Sequence, residues 1–127
     1  MILTSTEQVT TYQLAIWRYA KYKYNLSSKQ ENIPFEVTNK TLFSARSFGY
    51  TGCHNSYSIQ YSTKTNITKD TVEHEIAHIV CWELPHVSDD CGHDQNFIEV
   101  YYALKEYGIS ILLTEPKETK CLTNQRP

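Results

Sequence analysis

The stretch His74-Glu75-Ile76-Ala77-His78 decides how the rest of this chain is read. On a helix, residues four apart lie about 40° from one another around the axis and one turn apart. His74 and His78 can therefore aim imidazole nitrogens at one ion, at about 2.0–2.1 Å each for zinc. Glu75 falls about 60° around from His78, near enough to reach a water on the metal without ligating it. A catalytic zinc keeps three protein ligands and one open position, so a third donor has to come from elsewhere.

The flanks argue against a chance match. Val72, Ile76, Ile79 and Val80 cover the helix face opposite the histidine ridge, while Ala77, Cys81 and Trp82 flank it. A helix apolar nearly all round is buried. Two histidines and a glutamate on it need partners, because unpaired polar burial costs about 2 kcal/mol or more each. Metal ligation satisfies all three, and packed or surface histidines are the weaker explanation. We expect this helix to start after Asn66 or Thr68, either a suitable N-cap, and to end at Pro85.

Helical phase ranks the third donor. From His93 to Tyr107, apolar residues recur at Phe97, Val100, Tyr101 and Leu104, and Gly108 reads as the C-cap. Extending the phase backwards puts His93 on the inward stripe. Glu99 falls about 200° from Phe97, on the solvent side. His86 and Cys91 also lie near, but nothing around them fixes their direction. His93 ranks first, ahead of Glu99, His86 and Cys91.

The remaining chain predicts an α+β domain. A first helix spans Thr6 to Tyr24, with Ser5 and Gln8 as a capping box and a stripe of Val9, Tyr12, Ile16 and Tyr19. A polar loop covers Asn25 to Asn32. Three short strands follow at Ile33–Val37, Leu42–Ser47 and Tyr57–Tyr61, with a turn from Gly49 to Asn55. Ser110–Leu113 adds a short strand or packing segment. We expect one domain over residues 1–113 and a polar tail over 114–127.

The order of helix, small sheet, H-E-x-x-H helix, loop, then Gly92-His93-Asp94-Gln95-Asn96-Phe97 opening a last helix resembles the SprT-like zinc metallopeptidases, the Spartan group. His93 follows His78 by 15 positions, a separation that suits the family. The resemblance covers about the first 108 residues in outline, with motif identity confined to those two runs. It implies a zincin-like fold, Zn2+ held by His74, His78 and His93, Glu75 as general base, and Phe97 packed behind the site. Metzincins place a glycine and a third histidine where this chain has Cys81 and Leu84. Gluzincins take a glutamate from the next helix, and Glu99 faces the wrong way for that. Asp94 stands where the family commonly has glycine, as a helix cap or a carboxylate that orients His93. The chain has no paired C-x-x-C motifs of the zinc ribbon that many such proteins add, so the resemblance implies a minimal stand-alone version.

The function expected is hydrolysis of peptide bonds in a protein or peptide substrate. DNA-associated proteins are the substrates the resemblance raises. A non-catalytic zinc-bearing module that binds DNA or protein is the alternative, which the retained Glu75 disfavours. Arg46, His54, Tyr57 and Tyr61 are candidates to stabilise the oxyanion, and the strand Tyr57–Tyr61 to line the cleft and pair with an extended substrate. The net charge of −2 gives no global argument for nucleic acid. One local patch, Arg18, Lys21 and Lys23 among tyrosines, could meet phosphates and bases. The preferred explanation is that these cations suit the C-terminal end of the first helix. No run approaches the ~20 apolar residues of a membrane span, and the N-terminus lacks a signal-peptide pattern. We expect a cytoplasmic chain whose four cysteines are free thiols.

Overall fold

The computed structural model describes residues 1–39, 44–50, 56–84 and 95–113. Among the described residues it is α+β, with three helices and two small sheets. In chain order these are β1 (Ile2–Leu3), α1 (Thr6–Tyr24), β2 (Phe35–Thr38), β3 (Ala45–Tyr50), β4 (Ser56–Ser62), β5 (Ile67–Thr68), α2 (Lys69–Glu83) and α3 (Gln95–Ile109). The tail beyond Leu113 lies outside the described residues. Among the described residues no helix is long and apolar enough to cross a membrane.

α1 has the expected bounds, and its N-terminus differs from the expected capping box in one bond. Ser5 Oγ accepts from the Gln8 N–H at 3.1 Å. The Gln8 side chain reaches one residue further back and accepts from the Thr4 N–H at 2.8 Å. At the other end Asn25 takes the left-handed conformation, φ 52°, and its N–H closes on the Lys21 carbonyl. Val9, Tyr12, Ile16 and Trp17 are fully buried, while Tyr19 packs its ring on Tyr107 at 4.0 Å.

β4 is the middle strand, parallel to β2 and antiparallel to β3. Its alternation is the expected one: Tyr57, Ile59 and Tyr61 are buried, Ser58 and Gln60 more exposed. The other two strands sit later than expected. β2 starts at Phe35 rather than Ile33, because Pro34 has no N–H and the Ile33 backbone is engaged sideways. Its N–H donates to the Asn32 side chain, and its carbonyl accepts from Gln13 Nε2 at 2.8 Å. β3 runs to Tyr50 rather than Ser47, so Gly49 pairs with Tyr57 in the ladder instead of opening a turn. A two-residue pairing of β1 with β5 ties the N-terminus beside the start of α2.

α2 lies at the centre and packs on α1, α3 and β3. Val72, Ile76, Ala77, Ile79 and Val80 are fully buried, each valine or isoleucine worth about 1.5–3 kcal/mol when fully covered. Thr68 is its N-cap, accepting from the Thr71 N–H at 3.1 Å. At its C-terminus Leu84 is extended (φ −80°, ψ 127°), the conformation that a following proline favours.

α3 continues through Gly108 to Ile109, which corrects the expected C-cap. Gly108 is there for a close approach: a Cβ would collide with the Tyr12 hydroxyl and the Glu73 carboxylate. The helix end is closed by Lys69, whose Nζ donates to the carbonyls of Gly108 (3.0 Å) and Ile111 (2.9 Å). Residues 110–113 form no strand; Ile111 and Leu113 pack against the core.

Candidate metal centre

One wall of the site is the His74–His78 ridge of α2. The two Nε2 atoms are 3.2 Å apart, with the rings at 73° to one another. Two donors about 2.05 Å from one ion at a tetrahedral angle would be separated by about 3.3 Å, so the pair fits a shared zinc. Both imidazoles are half-buried. α3 supplies the aromatic backing expected of Phe97, whose ring lies 4.5 Å from that of His78 and 5.1 Å from that of His74. Tyr101 adds a second ring, 5.5 Å from His74.

Glu75 is 7% exposed and projects beside this pair. The Ser47 hydroxyl donates to its carboxylate at 2.5 Å and also lies 3.0 Å from its backbone carbonyl. Burial raises the Glu75 pKa above the ordinary carboxylate value, and the Ser47 hydrogen bond offsets part of that rise. A raised pKa suits a group that must take up a proton near neutral pH.

The opposite wall is β3, and its small residues make the room. Ser47 faces Glu75, so strand alternation turns Ala45 and Gly49 to the same side. A Cβ on Gly49 would lie 2.5 Å from the Tyr57 ring and 2.9 Å from the Trp82 ring. Ala45, Arg46, Ser47, His74, Glu75, His78 and Trp82 line an open cavity of about 380 Å³. Trp82 stacks on Tyr57 at 6.1 Å, and Tyr57 is pinned by Gln30, which bonds both its N–H (2.7 Å) and its carbonyl (2.9 Å).

His93 lies outside the described residues, as do its rivals His86 and Cys91, the neighbouring Asp94, and His54, Cys53 and Cys121. Among the described residues no group of three His, Cys, Asp or Glu side chains converges as a metal site. Glu99 is exposed and hydrogen-bonded to Gln95, as its phase requires.

Two oxyanion candidates, Tyr57 and Tyr61, have their hydroxyls engaged elsewhere. Tyr61 is fully buried, its hydroxyl donating to Gln13 Oε1 at 2.6 Å. The Tyr57 hydroxyl donates to Glu83 at 2.8 Å. Arg46 borders the cavity, but alternation puts its side chain on the face opposite Ser47, with the guanidinium 4.9 Å from the Phe48 ring centre. The cleft strand is corrected. Tyr57–Tyr61 has neighbours on both sides, and the strand at the cavity is β3.

The basic patch is partly occupied with local duties. Lys21 Nζ donates to the Gln30 carbonyl at 2.7 Å and lies over the Trp17 ring, and Lys23 lies over Tyr24. Arg18 is exposed.

Sequence reasoning missed two features. A serine on a strand carries no periodic signal, so Ser47 was invisible. Glu73 had a signal: its phase puts it on the stripe of Ile76 and Val80, where a carboxylate needs partners. It is 3% exposed, accepts from the Tyr12 hydroxyl, and lies 3.6 Å from Lys105 Nζ. Lys105 also pairs with Asp70 at 2.7 Å, and Asp70 accepts from the Tyr101 hydroxyl.

Comparison with protein-family models, with curated proteins and with solved structures finds no match.

Proposed function

We propose that this chain is a zinc-dependent metallopeptidase with a zincin-like, SprT-like arrangement. The observation that carries it is the 3.2 Å separation of the His74 and His78 nitrogens beside the buried carboxylate of Glu75. His74 and His78 would hold the metal, with His93 from the Gly92-His93 motif as third ligand. A zinc ion bound there lowers the pKa of water towards ~7 and polarises a carbonyl.

The chain's own residues do the rest. Glu75 takes a proton from the attacking water and returns it to the leaving amine. Its burial keeps it from being levelled by solvent, and its raised pKa moves it towards the range where both transfers are easy. Phe97 and Tyr101 hold the imidazoles from behind and keep water off that side. β3 is an edge strand among the described residues, so an extended peptide can add to it and lie across the cavity.

The test is metal analysis of the purified chain beside its His93→Ala variant, followed by hydrolysis of an unfolded protein with and without DNA. One zinc per chain, weakened by His93→Ala, together with hydrolysis, is the expected result. Zinc without hydrolysis would make the chain a non-catalytic binding module, and no zinc would end the metallopeptidase proposal. If DNA stimulates hydrolysis, neutralising Arg18, Lys21 and Lys23 should reduce that stimulation and its salt dependence.

A further inference from the structure

Ser47 grips one oxygen of Glu75 from the strand across the cavity. Its hydroxyl has a single proton and two acceptors in reach, the Glu75 carboxylate at 2.5 Å and the Glu75 carbonyl at 3.0 Å. An ionised carboxylate is the stronger acceptor, so that proton goes to Oε1. Among the described residues no hydrogen bond reaches the other oxygen, Oε2. With Oε1 held, rotation about the last bond of the side chain would break the contact, and Oε2 is the oxygen left to serve the cavity. At 7% exposure, solvent has little access to replace the serine.

We propose that Ser47 is a positioning residue for Glu75. It fixes the carboxylate's rotamer and links the helix carrying the base to the strand on which an extended peptide would add. Peptide addition to β3 would therefore bear directly on where the base sits. The inward residues of β3 are Ala45, Ser47 and Gly49, and only the serine among them has a side-chain donor. The proposal rests on the metallopeptidase reading above.

Two measurements on Ser47→Ala and Ser47→Thr test it. In the zinc-loaded chain, Ser47→Ala should lower kcat about tenfold with KM little changed, a fraction of what a positioned base contributes. Ser47→Thr, which keeps the hydroxyl, should recover most of that loss. In the metal-free chain, urea unfolding of Ser47→Ala, Glu75→Ala and the double variant should be non-additive, the double shifting the midpoint by less than the two singles combined. Additive shifts would overturn the contact, whatever the activity. An unchanged kcat in Ser47→Ala, or equal losses in the alanine and threonine variants, would overturn the positioning role. The parent proposal is judged separately: wild-type hydrolysis by Glu75→Gln sinks it, while the metal-free cycle still decides whether Ser47 holds Glu75.

Discussion

Glu73 and Glu75 stand two residues apart on the same helix, and both are almost fully buried. Their surroundings divide them. Glu73 has the Tyr12 hydroxyl on Oε2 and Lys105 near Oε1, and Gly108 leaves space for that contact. Glu75 has Ser47 on one oxygen and, among the described residues, no hydrogen bond on the other, and the residue borders a cavity shared with two imidazoles. A buried carboxylate with every oxygen answered joins elements together. One left half-answered beside two histidine nitrogens spaced to share an ion is placed to do chemistry. Burial and a raised pKa occur at both, so neither marks a functional site without the partner count.

The contrast can be broken most forcefully at the Glu73 end. Gly108→Ala should destabilise the fold by about 3 kcal/mol, since overpacking displaces the Tyr12 hydroxyl and the Glu73 carboxylate together. Chemical denaturation checks this, and an unshifted midpoint would mean that α3 does not approach α1 and α2 so closely.

A gentler test uses pH. Both glutamates have pKa values raised mainly by burial, so the protonated form favours the fold. That contribution is present at low pH and lost as pH rises from about 4.5 through the raised values. Asp70 is shifted the other way, its Lys105 and Tyr101 hydrogen bonds outweighing burial, and its contribution is lost only as pH falls below about 3.8. In the metal-free chain, the Glu73→Gln, Glu75→Gln double variant should therefore flatten the decline in stability as pH rises from about 4.5. An unchanged slope would show that these groups do not carry it.

Helices were the legible part of the sequence. The 3.6-residue stripe and the Ser5 cap placed α1 to the residue, and cap chemistry narrowed the start of α2 to Asn66 or Thr68, because those signals act within a few positions. The same phase put Glu99 outside and Phe97 on the inward stripe, and the resemblance placed Phe97 behind the histidines. Strand bounds slipped by one to three residues, since a ladder ends where a partner ends, and the partner is not local. The sheet order was not legible either, so β4 was given the edge that belongs to β3. Gly108 was read as a cap because the Tyr12–Glu73 contact that requires it spans 61 positions. Ser47 was missed for the same reason, reaching Glu75 across 28 positions.

Hydrolysis of an unfolded protein by zinc-loaded Glu75→Gln and Glu73→Gln, side by side with the wild type, tests the division of labour most directly. We predict that Glu75→Gln keeps its zinc and loses hydrolysis by about a hundredfold or more, as expected for removal of a general base. Glu73→Gln should retain hydrolysis at temperatures where it is folded. Equal rates for Glu75→Gln and the wild type, or a loss confined to Glu73→Gln, would contradict it.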